Sequence, residues 1–461
     1  MCLMAISTGS RRPLHRGSRS SLYGGAVCAG IPVLVAFCCA KSHSQLGVAV
    51  VAAMIMCASL TIPRSWRSAG VLILIISSLG AFPIIALGES VVLIPLASLA
   101  GLFFLALDGH ITLQRGTELA LGALGASLVS TLAVGSNSQI VQLVIFLVIS
   151  VTVFLVSGNL IHAEPMVIYA GLATFVALQV VISIREVFYS HSPIWRLSMG
   201  GRQWTSDGLI PDYLQSNIFP GLLRGTGTLG HPLPMAFFFV VAFAFTLAFS
   251  DQLDWRVRWI VCGLAIGGCL LAGARSALVA VAVVFVIAVY RRSVVASVFT
   301  AVVLYLGYQL IGSQKLHEAL GIDSLLASGS YTHRSRVIAS LPALFDQPLL
   351  RLLFGSGYKA EGKVITAILG GRFSAVDNQF VTTMIASGLI GLLLFVAWLV
   401  RSAWVNHGQL LLPIVGIVVM FMSFDAMSWH ATLALTVVVL GISGQELVGG
   451  GNRVPSKGAN H

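Results

Sequence analysis

Charge is what this chain has least of. Only 9% of its 461 residues are Asp, Glu, Lys or Arg, against about 25% in soluble proteins. Acidic residues number 16. No remaining stretch can form a separate soluble domain. All seven cysteines (Cys2, Cys28, Cys38, Cys39, Cys57, Cys262, Cys269) fall in the N-terminal tail or in apolar runs. That excludes disulfide staples in the polar loops. Those loops hold no Asp-x-Asp pair and no compact His/carboxylate spacing, so neither a metal nor a cofactor is expected. Gly225, Gly227 and Gly230 precede an apolar run, so they read as turn glycines, not as a phosphate-cradling loop after a strand. No basic patch with stacking aromatics lies on a soluble surface, so nucleic acid is not an expected partner. Residues 1–22 carry Arg11, Arg12, Arg16 and Arg19 but no short apolar region with a cleavage site, so they read as a polar basic tail.

Apolar residues fill the chain instead. They make up 57% of it and gather in about fourteen runs: 24–40, 46–62, 69–87, 90–107, 117–135, 139–157, 167–184, 232–250, 257–273, 276–290, 294–312, 379–400, 409–424 and 429–446. Each approaches the roughly 20 residues that a helix needs to cross a bilayer. The runs are continuous rather than alternating, which disfavours a β-barrel. The expected fold is all-α: a polytopic membrane domain over 23–448, with about fourteen transmembrane helices between the tails 1–22 and 449–461.

Arginine placement sets an orientation. With the N-terminus in the cytoplasm, the inner connections hold Arg64, Arg67, Arg115, Arg256, Arg258, Arg291, Arg292 and Arg401. The short outer ones carry little beyond Lys41 and Glu89. This is the positive-inside pattern, and an even count returns the C-terminus to the cytoplasm. The net charge of +11 is thus mostly a topology signal.

Two outer segments, 185–231 and 313–376, depart from it. They carry Arg185, Arg196, Arg202 and Arg224, then Arg334, Arg336, Arg351 and Arg372. Arg185, Arg196, Arg202, Arg351 and Arg372 read best as solvated loop surface. Arg275 is different: it sits in Leu271-Ala-Gly-Ala-Arg-Ser-Ala-Leu278, between two apolar runs with almost no loop. A charge so near hydrocarbon either snorkels or faces a polar cleft. In the second segment Val337, Ile338, Leu341, Leu344 and Phe345 recur at helical spacing, which predicts an amphipathic surface helix interrupted or bent at Pro342. Asp377-Asn378 stands immediately before the run 379–400, where an acid can cap a helix, serve chemistry, or both.

Three stretches together resemble the O-antigen ligase and polymerase family of bacterial envelope enzymes. They are Arg224-Gly-Thr-Gly-Thr-Leu-Gly-His-Pro232, then Gly273-Ala-Arg-Ser-Ala-Leu278, then the series from Arg334 through Pro348, Gly355-Ser-Gly-Tyr358 and Asp377-Asn-Gln-Phe380 to Ser387-Gly-Leu-Ile-Gly391. The likeness covers roughly residues 224–404. It implies metal-independent glycosyl transfer on the outer face of the bacterial cytoplasmic membrane. The donor would be a polyprenyl-pyrophosphate-linked glycan, and the acceptor a sugar hydroxyl of another glycan. Implied partners are those two glycans, membrane lipid, and chain-length or export proteins. Arg224, Arg275 and Arg334 then become candidates for stabilising the leaving pyrophosphate, with Arg336 a second choice for the third position. Guanidinium groups meet phosphate oxygens bidentately and keep their proton.

Family ligases place a His before the Asn; this chain has Asp377, a departure that tilts the reading from ligase toward polymerase. Asp377 is the candidate base, His231 and His333 are alternatives, and Asn378 is a candidate substrate contact. A lipid-linked-glycan transporter or flippase is the alternative of another class, as is a non-catalytic assembly protein. Against transport stand span centres nearly free of ionisable residues and the lack of a clear repeat between the two halves.

Overall fold

The computed structural model describes residues 18–40, 44–63, 66–83, 92–107, 117–157, 165–195, 198–199, 202–203, 214–216, 218–219, 221–295, 302, 335–369, 376–405, 408 and 410–442. Within them the protein is helical, apart from a two-residue antiparallel ladder pairing Ser198–Met199 with Arg202–Gln203 and one isolated bridge, Gln215 with Leu223. The helices are α1 (Ser18–Cys39), α2 (Ser44–Thr61), α3 (Arg67–Ala81), α4 (Leu93–Leu107), α5 (Thr117–Val134), α6 (Asn137–Ser157), α7 (Pro165–Ile184), α8 (Pro232–Ala248), α9 (Trp255–Leu271) and α10 (Arg275–Arg292). There follow α11 (Leu341–Phe345), α12 (Leu349–Phe354), α13 (Glu361–Leu369), α14 (Gln379–Val405), α15 (Leu411–Phe421) and α16 (His430–Ile442). Every expected span except 294–312 overlaps one of these; most of 294–312 lies outside the described residues, as do His333 and Arg334.

Five of the described helices are long and apolar enough to cross a membrane, and several shorter apolar helices accompany them. Large apolar side chains are exposed on their outer faces, among them Leu34, Val141, Val181, Leu393 and Trp404. Such an apolar exterior suits hydrocarbon as solvent. The interior follows the same logic. Helix α8 is apolar all round and almost wholly buried, which places it at the centre of the bundle, with Phe237, Phe238 and Phe239 packed among α7, α9, α10 and α15. Helix α1 packs along α7 and α3 through small residues. A Cβ on Gly25 would lie 2.3 Å from the Val167 carbonyl oxygen, and one on Gly171 would lie 2.5 Å from Ile73. Close backbone approach of this kind is how helices associate where apolar burial alone gives no preference. Buried hydroxyls bond back to their own helix: Ser59 to the Ile55 carbonyl at 2.7 Å, Ser98 to Ile94 at 2.7 Å, and Thr246 to Ala242 at 2.7 Å.

In the second polar segment the expected amphipathic helix is interrupted, just before Pro342, and divided further. A helical turn over 335–339, α11 and α12 replace it, and α13 follows. Pro342 stands in the first turn of α11, and Pro348 caps α12, so each proline starts a short helix instead of bending a long one. Val337 and Leu344 pack inward against Ile365, Val376 and Ile385, while Ile338, Phe345, Leu349 and Leu350 stay exposed.

Hydrogen bonds, ion pairs and ring contacts sort the helix ends into two groups. Ser250, Asp251, Arg291, Arg292 and Gly408 meet at one end. Arg292 lies 3.6 Å from Asp251 and donates to the Ser250 hydroxyl, and Arg291 donates to the Gly408 carbonyl. The other end gathers Gly80, Gln139, Glu186, the 224–231 segment, Ala272, Tyr358, Asn378 and the 422–429 connection.

Candidate functional site

The second end holds nearly all the chemistry. Its first part is the 224–231 segment, which leads into α8. Glu186, in a π-helical turn (Arg185–Ser190) that follows α7, is buried and organises it. Its carboxylate accepts from the backbone of Thr226 and Gly227, both at 2.8 Å, from Ile194 at 2.9 Å, and from the Thr226 hydroxyl at 3.0 Å. Gln179 adds a second clamp, accepting from Thr228 N–H at 2.8 Å and donating to its hydroxyl at 2.6 Å. Gly227 sits at φ +55°, and a Cβ there would come within 2.2 Å of the Gln179 amide oxygen. Only glycine meets both demands.

This clamped segment presents Arg224 and His231. Arg224 is buried, and its Nε donates to the Ala272 carbonyl at 2.8 Å; the Gly225 amide donates to Leu271 at 2.8 Å. The first motif is thereby docked on the turn that ends in Arg275. Gly273, at φ +59°, makes that turn, and a Cβ on it would press on the Arg224 side chain at 3.1 Å. Arg275 is half-buried at the first position of α10. The two arginines that sequence alone pairs by motif thus belong to one docked unit.

His231 is the N-cap of α8, with Pro232 in the first turn. Its Nδ1 accepts from Leu233 N–H at 3.2 Å, and its ring lies 5.0 Å from that of Trp429. Burial, and then the neighbouring Arg224 charge, push it down to about 3. With Nδ1 engaged as an acceptor in the neutral ring, the proton rests on Nε2. His231 is therefore equipped to donate a hydrogen bond, not to take a proton.

The second part brings together residues far apart in sequence. Asn378, not Asp377, caps α14: its Oδ1 accepts from Phe380 and Val381 N–H at 3.0 and 3.1 Å. Its Nδ2 donates to the Met422 carbonyl at 3.1 Å, which ties the start of α14 to the 422–429 connection. Gln379 strengthens the tie, accepting from Met427 N–H at 2.8 Å. Asp377 is half-buried beside this joint, and its charge acts on Asp425. Burial pushes the Asp425 carboxyl up to about 7; Lys359 opposes the rise, while Asp377 and Glu361 add to it. Lys359 is exposed, with its ammonium 3.5 Å from the Ser428 carbonyl and 5.9 Å from the Tyr358 ring.

The position of Lys359 is itself built. The glycines of Gly355-Ser-Gly357 lie against a break in α14 at Gly388, φ +69°. The break leaves the carbonyls of Ile385 and Ala386 without helical donors, and Ser356 and Gly357 N–H supply them at 2.7 and 3.1 Å. Tyr358 is then held from both sides: its N–H donates to the Thr131 hydroxyl at 2.8 Å, and its carbonyl accepts from Gln139 at 2.9 Å. Beneath, between α5, α6 and α14, lies an apolar cleft that reaches Tyr358 and Ser428.

Of the residues singled out by sequence, Arg224, His231, Arg275, Asp377 and Asn378 share this end of the bundle. Arg336 is exposed on the 335–339 turn. Asp425, Lys359, Glu361 and His430 were missed. One signal was present: Asp425 is the lone acid in the short connection between the last two apolar runs. Among the described residues no three His, Cys, Asp or Glu side chains converge as metal ligands. No family model matches the chain, and no curated protein matches it.

Proposed function

We propose that this protein is a polysaccharide polymerase of the O-antigen ligase and polymerase type, acting at the outer face of the bacterial cytoplasmic membrane. The reading takes the membrane domain to have about fourteen spans, with both termini in the cytoplasm. The end carrying Arg224 and Asp377 then faces outward, and the end carrying Arg291 and Arg292 faces inward, in keeping with positive-inside bias. One observation carries the reading: a docked pair of arginines and the Asp425 carboxyl, raised toward neutrality beside Asp377, lie at one end of an apolar bundle, joined through His231 and Trp429.

The chemistry divides between the two parts. The acceptor hydroxyl oxygen attacks the anomeric carbon of the donor. The bond from that carbon to the pyrophosphate oxygen breaks, and the electron pair leaves with the pyrophosphate. Arg224 and Arg275 stabilise the charge that develops there; preorganised donors of this kind contribute roughly 10²–10³-fold each. Arg334 and Arg336 are further candidates for the same anion. The hydroxyl proton passes to the Asp377–Asp425 pair, a role that contributes on the order of 10²–10⁴-fold. An acid poised near pH 7, as Asp425 is, suits it better than an isolated aspartate. His231, whose neutral ring carries its proton on Nε2, orients a substrate oxygen.

The test is a gel profile of surface glycans from a strain lacking the protein. Loss of long chains, with single repeats still attached to their carrier, supports the polymerase. Complete loss of attachment means a ligase instead. An unchanged profile overturns glycosyl transfer altogether.

A further inference from the structure

At the end opposite the candidate site, α9 opens with Trp255-Arg-Val-Arg-Trp259. Trp255 and Trp259 lie one turn apart on one face, 60% and 56% exposed. Arg256 and Arg258 leave the helix on either side of this pair and fold back over it. The Arg256 guanidinium lies 5.6 Å from the centroid of the Trp255 ring, and that of Arg258 lies 5.6 Å from the centroid of Trp259. The other charges nearby are engaged. Asp254 caps α9, accepting from Arg256 N–H at 2.8 Å; Asp251 faces Arg292 at 3.6 Å; and Arg291 donates to the Gly408 carbonyl. Among the described residues, the guanidinium groups of Arg256 and Arg258 make no hydrogen bond and no ion pair. Tyr290 and Trp404 stand exposed at the same end, and such rings gather where hydrocarbon meets headgroups. Further along this face of α9, Ile266 is exposed, and a Cβ on Gly263 or Gly267 would meet nothing within 4 Å. An apolar chain has room to lie there.

We propose that this turn is a binding site for an anionic phospholipid in the leaflet remote from the candidate site. Arg256 and Arg258 take the headgroup phosphate, the two indoles flank it at the boundary, and an acyl chain follows the face of Gly263, Ile266 and Gly267. Guanidinium groups match phosphate oxygens, and their separation from any carboxylate leaves that capacity intact. A zwitterionic lipid offers the same phosphate but cancels its charge, so the site selects for net negative charge. The placement bears on the far end of the helix. Helix α9 has 17 residues and spans about 26 Å, against about 30 Å of hydrocarbon. A headgroup anchor at its start therefore fixes the depth of the Ala272–Arg275 turn, on which Arg224 is docked.

The experiment titrates the full-length protein with phosphatidylglycerol or phosphatidylcholine of the same acyl chains and reads binding of the first lipid by native mass spectrometry. The wild type should bind phosphatidylglycerol at least about fivefold more tightly, the factor that one basic residue near a charged lipid surface contributes. Arg256→Gln combined with Arg258→Gln should abolish that preference. Arg291→Gln combined with Arg292→Gln removes the same charge from the same end and should leave it in place. Equal losses from the two pairs would mean that net charge alone attracts the lipid, and overturn the proposal. A wild type without preference overturns it too. Trp255→Leu combined with Trp259→Leu keeps the helix apolar and decides the matter if the first variant does not insert: the preference should fall, and an unchanged one refutes the site. Millimolar glycerol 1-phosphate should not displace the lipid; displacement would mark a site for free phosphate instead. Lipid binding is read without turnover, so the result is independent of glycosyl transfer.

Discussion

At the scale of single residues, the two arginines are held differently. Arg224 is buried and committed through Nε to the Ala272 carbonyl at 2.8 Å. Arg275 starts a helix and is only half-buried. Lysine in its place keeps the charge but loses the planar, two-pronged donor. Arg275→Lys should therefore lose most activity while inserting normally, as read by polymer length against protein level in membranes; near-normal activity would return Arg275 to a snorkelling role. Asp425→Asn should lower turnover by roughly 10²-fold or more. Because Asn378 carries the cap, Asp377→Asn tests chemistry without the confusion of a lost helix start. Asp425 also makes stability depend on pH. Its folded-state proton affinity is raised, so its contribution is fully present below the ordinary carboxylate range and is lost as pH rises through about 7. Melting curves of the wild type should fall across that window, and those of Asp425→Asn should fall less.

At the scale of elements, the break in α14 decides where Lys359 can be. A Cβ on Gly388 would lie 2.3 Å from the Leu353 carbonyl oxygen, and one on Gly355 would lie 2.6 Å from Ala386. Two glycines at positive φ face each other across the contact, and the amides of Ser356 and Gly357 complete it. Gly388→Ala combines a backbone clash with strain of about 1–3 kcal/mol. It should lower the melting temperature and abolish polymer formation, although position 388 touches no substrate. A variant with wild-type stability would mean that α14 can straighten without cost. The amphipathic pattern over 334–354 was legible in sequence, but its division was not. Which proline bends a helix and which begins one depends on what Val337 and Leu344 pack against, and those partners come from α13 and α14.

For the whole molecule, the grouping of helix ends makes topology testable at positions chosen for exposure. Lys363 lies on α13, at the end that carries the site, and Asp251 lies at the opposite end, paired with Arg292. In a cysteine-free background, Lys363→Cys should react with an impermeant reagent from outside the cytoplasmic membrane, and Asp251→Cys only after permeabilisation. The reverse result would place the candidate site in the cytoplasm, where transfer from a translocated donor is excluded.

The apolar runs, their helical character and the motif glycines were all determined by sequence. Each is a local property: a helix in hydrocarbon must satisfy its own backbone, so a long apolar run has little other choice. Parity of crossings even brought Arg224, Arg275 and Asp377 to one face. The pairing of Asp377 with Asp425, the assignment of the cap to Asn378 and the presence of Lys359 beside them were decided only by tertiary structure. Those contacts join connections that no periodicity relates. They form because α14 breaks at Gly388, α8 fills the centre, and Glu186 and Gln179 clamp the segment that carries Arg224.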